Sequence, residues 1–217
     1  MGKTAIVLGA TGVVGRELVR QLAIQTDIDK IVSLTRRPVS YSNAKVDNQV
    51  VDFDNLKSSS QWFKGDLLFS ALGTTLKQAG SIDAQRKVDV DYQYHAAEIA
   101  AQQGVSHYLL VSSSGANAQS RSAYLKMKGE LEQRVQQLPF NRISIVQPSL
   151  LLGERTDFRL GERLAATILP LMCRLPPLAK YRPITGAQVA KAMIALSQQP
   201  GHPIETISLD QLFLQQG

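Results

Sequence analysis

Two groups of residues in this 217-residue chain have the types and spacing to do chemistry. The first is Gly9, Gly12 and Gly15 in "TAIVLGATGVVGRELV", between a short apolar run and a one-sided helical pattern. Gly9 lets the chain turn, Gly12 lets backbone N–H groups approach a pyrophosphate, and Gly15 lets helix and strand pack closely. Thr11, Val13 and Val14 belong to the same turn and helix start, where partial positive charge and unpaired donors favour an anion. A glycine triplet by itself is equally a tight turn. Its place inside a complete strand, turn and helix makes it a dinucleotide cradle.

The second group is the serine run Ser112, Ser113 and Ser114, followed by Tyr124 and Lys128 four residues apart. At that spacing phenol and ammonium share one helix face. A phenol is a poor acid or base near neutral pH, and a neighbouring cation favours its phenolate. A serine hydroxyl beside them suits an oxygen that gains charge during hydride transfer. Ser113 and Ser114 are the candidate donors, and spacing alone does not choose within the triplet.

Three shorter segments lie between these groups. "SLTRRP" places Arg36 and Arg37, and no acid, where a dinucleotide's adenosine ribose would lie, which favours a 2′-phosphate and hence NADP(H). The alternative is that arginines there only solvate a loop, and one of the two is expected to do so. Asp52 and Phe53 in "VVDFDNL" stand where a carboxylate and its neighbouring amide would meet an adenine edge; equally, Asp52 or Asp54 caps the following helix. In "SALGTT", Ala71, Leu72 and Gly73 let backbone pass close to a cofactor.

The elements that must position these residues alternate along the chain. "AIVLG", "KIVSLT", "NQVVDF", "DLLFSALG", "HYLLVSS" and "RISIVQ" read as strands. "VVGRELVRQLAIQ", "DAQRKVDVDYQYHAAEIAAQQG" and "SAYLKMKGELEQRVQQL" read as amphipathic helices, and "FDNLKSSSQWF" as a short helix or loop. Right-handed crossovers then predict a Rossmann-type, doubly wound parallel α/β sheet. Residues 1–217 are expected to form one domain, with a dinucleotide-binding core over 1–150 and a small helical cap over 151–217. That cap would hold two helices, "GERLAATILPLMCRL" and "GAQVAKAMIALSQQ", then a short strand near "ETISL" and a final helical turn, and lie over the sheet's C-terminal edge.

Composition narrows the partners. Twenty-four basic against 18 acidic side chains leave +6, but no basic block exceeds Arg36–Arg37 and no aromatics interleave, so nucleic acid is not expected. No apolar stretch reaches a membrane span. A single cysteine, Cys173, and no signal-peptide pattern make the cytoplasm the simplest address. His95, His107 and His202 have no metal-like spacing, so no metal site is expected. Arg155, Arg159 and Arg163 recur every four residues, either as a solvated face or as an anion site.

Together "GATGVVG", "SSSG" and "YLKMK" resemble the short-chain dehydrogenase/reductase superfamily. "SALGTT", "VSSSGAN", "YLKMKGELE" and "PSLLLGER" resemble its atypical branch, which includes Tat-interacting oxidoreductase-like proteins and small bacterial sugar-nucleotide epimerase-like proteins. The resemblance spans nearly the whole chain. It implies NADP(H), with Tyr124 as proton donor or acceptor and Lys128 holding the nicotinamide ribose. The chain departs from full-length epimerases in the ten positions between Ser114 and Tyr124 and in its short region after Pro148, which leaves little room for a nucleotide-sugar.

The expected function is an NADP(H)-dependent oxidoreductase acting on a small carbonyl or alcohol. Its rivals are a non-catalytic NADP(H)-binding sensor and an epimerase-like isomerase. The long fourth and fifth helices offer a face for a homodimer.

Overall fold

The computed structural model describes residues 2–149, 151–152, 183–208 and 211. Among the described residues nine strands occur in chain order: β1 (Lys3–Leu8), β2 (Ile28–Thr35), β3 (Val46–Val50), β4 (Leu67–Ser70), β5 (His107–Val111), β6 (Arg142–Gln147), β7 (Leu151–Leu152), β8 (Ile184–Thr185) and β9 (Ile204–Ser208). Seven of them form one sheet in the order β3-β2-β1-β4-β5-β6-β9, and every neighbouring pair is parallel. β7 and β8 pair separately. Strand order reverses between β1 and β4, which opens a crevice at their C-terminal ends, where open α/β sheets bind ligands.

The helices are α1 (Val13–Leu22), α2 (Leu76–Ala79), α3 (Ile82–Arg86), α4 (Gln93–Gln102), α5 (Ala123–Val135) and α6 (Gly186–Gln198). A π-helical segment, Lys87–Tyr92, joins α3 to α4, and a kinked 3₁₀ segment covers Phe53–Phe63. Side chains alternate across β1: Ala5 and Val7 enter the core under α1 and α6, while Ile6 and Leu8 enter the core under α4 and α5. Leu18 and Leu22 of α1 are fully buried, each contributing about 2 kcal/mol by leaving water.

One expectation shifts. The strand read as "NQVVDF" runs earlier, over Val46–Val50, because Asp52 already caps the 3₁₀ segment by accepting from the Asp54 amide at 2.9 Å. Within the region expected as a small cap, residues 151–217, α6 lies on the sheet beside α1 and β9 joins the sheet next to β6. The reason is apolar burial: Val189, Ala190, Ala192, Met193, Ile194 and Leu196 of α6 are all buried, and Gly186 sits against the Val13 backbone with no space for a side chain. The helix around Pro170, Cys173, Arg155, Arg159, Arg163 and the final helical turn lie outside the described residues.

Candidate functional site

The glycine turn forms at the crevice. Gly9 holds φ at 75°, open to glycine at little cost, and a Cβ there would stand 2.5 Å from the Ala71 carbonyl oxygen. Turn and β4 loop therefore touch through backbone alone. The Gly12 amide donates to the Gly9 carbonyl at 2.9 Å, and Gly12 caps α1 without any side-chain hydrogen bond. Amides in the first helical turn, those of Val13, Val14 and Gly15, have no partner within the helix. Thr11 and Gly12 are exposed, Val13 is half-buried, and Val14 and Gly15 are buried. A backbone cradle of this kind fits a pyrophosphate.

Beyond the ends of β2 and β3 lies a cleft of ≈ 460 Å³ lined by Arg36, Val50, Val51, Asp52, Phe53, Asp54 and Tyr92. Phe53 is buried against the Tyr92 ring, with centroids 5.5 Å apart. Asp54 pairs with Lys87 at 2.6 Å and accepts from the Tyr92 hydroxyl, and these partners, Lys87 first, hold its carboxyl below the usual range. Asp52 thus caps the 3₁₀ segment and also lines the cleft. Arg36 lies on this cleft; Arg37 is exposed, and its carbonyl accepts from the Thr35 hydroxyl.

At the other end of the crevice, Tyr124 lies in the first turn of α5 with 39% of its surface exposed. The Lys128 ammonium lies 5.8 Å from the Tyr124 ring centroid and is itself buried. A buried ammonium needs a partner. It has one: Asp89 Oδ1 stands 2.9 Å away, with 1% of the Asp89 side chain exposed. Of the serines, Ser112 is buried, and Ser113 and Ser114 are half-buried at the surface end of the run. The Ser113 hydroxyl faces the Ser114 carbonyl at 3.5 Å, and the Ser114 amide donates to the Pro148 carbonyl. One turn beyond Lys128, buried Glu132 accepts from the Gln147 amide at 2.9 and 3.1 Å. Burial pushes its carboxyl up, against smaller pulls from Ser112, Gln147 and Lys128. Ala71 and Leu72 are half-buried and Gly73 is exposed in the loop between the two ends.

A family described as NAD(P)H-binding matches residues 9–200. The chain belongs to this NAD(P)H-binding family. It is 36% identical over 205 residues to "Protein FMP52-1, mitochondrial" of Scheffersomyces stipitis, covering 90% of this chain and 88% of that one. It is 38% identical over 167 residues to "Protein HTATIP2" of Rattus norvegicus, covering 75% and 69%. Among solved structures it is similar to "MoeE5 in complex with UDP-glucuronic acid and NAD", at TM-score 0.73 and 14% identity, over 96% of this chain and 76% of that one. This NAD(P)H-binding protein therefore has the Rossmann-type fold expected from its sequence.

The cytoplasmic address does not survive the comparison, because the fungal relative is named mitochondrial. A lone cysteine speaks only of disulfides, and that condition does not single out one compartment. Among the described residues no three metal-binding side chains cluster, and no helix is long and apolar enough to cross a membrane. His107 sits far from the crevice, buried with its Nε2 2.8 Å from the Ser144 hydroxyl.

Reading the sequence missed Asp89 and Glu132. Burial of Lys128 was the available signal, since a helix that turns an ammonium inward implies a carboxylate on a neighbour. "KVDVDY" carried that carboxylate, but ordinary helical period does not reveal which of Asp89 and Asp91 turns inward.

Proposed function

We propose that this protein is an NADP(H)-dependent oxidoreductase acting on a small carbonyl or alcohol. The observation that carries the reading is the α5 face, where the ring of the exposed Tyr124 lies 5.8 Å from the buried Lys128 ammonium. The dinucleotide, when bound, supplies hydride chemistry. The first-turn amides of α1 and the open Gly12 would hold its pyrophosphate. Arg36 would receive the 2′-phosphate, with Asp52 and Phe53 at the adenine.

Tyr124 moves the proton to or from the substrate oxygen. Ser113 or Ser114 donates a hydrogen bond to the same oxygen as its charge grows. Lys128 would hold the nicotinamide ribose. Ala71, Leu72 and Gly73 form the backbone wall between the two halves.

The test is NADPH oxidation by purified protein across a panel of small aldehydes and ketones. Oxidation with at least one compound supports the reading. Tight NADPH binding without oxidation on a broad panel replaces it with a sensor, and conversion without net cofactor change replaces it with an isomerase.

A further inference from the structure

We propose that Asp89 is a positioning residue that fixes both Lys128 and the loop after β4 against the nicotinamide half of the cofactor; this rests on the NADP(H) reading above. One carboxylate reaches both. Its Oδ1 lies 2.9 Å from the Lys128 ammonium, and its Oδ2 accepts from the Thr74 amide at 3.1 Å. Gly73 passes directly over the pair. A Cβ on Gly73 would stand 3.2 Å from Asp89 Oδ1 and 3.9 Å from the Lys128 nitrogen.

The backbone is built to hold this carboxylate in place. Asp89 sits in the π-helical segment Lys87–Tyr92, a widened turn of a kind frequent at functional sites. The Asp89 carbonyl accepts from the Gln93 amide at 2.8 Å, and Gln93 Oε1 accepts from the Ser70 hydroxyl at 2.7 Å. All three of these residues are buried. The wide turn is thereby tied to the C-terminal end of β4, the strand whose loop faces the crevice.

Stability alone is a weak reason for such a pair. Two buried charges lose hydration, and well-packed apolar side chains of similar volume hold elements together as well or better. What the pair adds is an ammonium at a fixed point. Because an ammonium carries three donors, pairing with Asp89 does not exhaust it.

The experiment titrates the full chain and its Asp89→Asn variant calorimetrically with NADPH and, separately, with adenosine 2′,5′-bisphosphate, which carries only the adenine half. Asparagine keeps an acceptor for the Thr74 amide and removes the charge. Asp89→Asn is expected to weaken NADPH at least tenfold and leave the bisphosphate unchanged. Unchanged NADPH binding, or equal weakening of both ligands, overturns the proposal, because a merely structural residue does not discriminate between them. If Asp89→Asn does not fold, Asp89→Glu carries the test: the charge stays, the ammonium is displaced, and the same selective loss is expected. Unsubstituted protein that binds neither ligand overturns the cofactor reading itself and this proposal with it, a result distinct from loss or retention in the variant alone.

Discussion

Gly15 packs on the carbonyl oxygen of Gly9 so closely that a Cβ at Gly15 would overlap it, whereas a Cβ at Gly12 would stay 3.3 Å from the same oxygen. Gly15 is needed for packing, whereas at Gly12 a methyl group requires only a shift of a few tenths of an ångström. Gly15→Ala should therefore cost about 3 kcal/mol of stability, as overpacking does, read as a lower urea midpoint. Gly12, with φ at −77°, tolerates a side chain in its backbone conformation. Gly12→Ala should unfold within about 1 kcal/mol of the unsubstituted protein yet bind NADPH at least roughly tenfold more weakly. Equal NADPH binding by Gly12→Ala would remove the pyrophosphate from this turn.

Tyr124→Phe keeps the ring over Lys128 and deletes the hydroxyl. Turnover of any carbonyl substrate should fall by roughly a hundredfold or more, the scale of a lost general acid, while NADPH affinity stays nearly the same. Steady-state rates beside a calorimetric titration check both halves. Unchanged turnover would take Tyr124 out of the chemistry.

Much of the site was legible because it rests on local pattern. Gly9, Gly12 and Gly15 sit between a strand and a helix, and Tyr124 and Lys128 share a helix face, so sequence spacing reports both. Asp89 was not legible: a π turn adds a residue to the helical repeat, and its inward direction depends on Gln93 and Ser70, which belong to different elements. The place of α6 was hidden for another reason. An amphipathic helix reads the same whether it covers a sheet's edge or its face, and contact with α1 decides that only in three dimensions.

Glu132 gives a prediction in pH. Burial raises its carboxyl above the ordinary glutamate range, so the folded state favours the protonated form. The stability this contributes is present below the unfolded value and is lost as pH rises through the folded one. Glu132→Gln, which still offers an acceptor to Gln147, should be more stable than the unsubstituted protein at pH 8 and lose that advantage below about pH 4.5. Urea unfolding at the two pH values checks this, and an advantage independent of pH would contradict it.

His107 behaves in the opposite sense. Burial, with Arg142 next, lowers it from 6.5 to about 4, so the folded protein keeps it neutral while the unfolded chain protonates. Its contribution is complete above pH 6.5 and is lost as pH falls toward 4, with an upper bound on the order of 3 kcal/mol. His107→Gln should flatten the fall in stability across that window. An acid limb as steep in the variant as in the unsubstituted protein would assign the fall to other groups.

The crevice is expected to hold a dinucleotide and to prefer the phosphorylated one. Calorimetric titration of the cofactor-stripped protein with NADPH and then NADH tests it most directly. NADPH should bind at least roughly tenfold more tightly, and Arg36→Ala should remove the difference. Equal affinity for the two would contradict the role given to Arg36, and binding of neither would contradict the cofactor site itself.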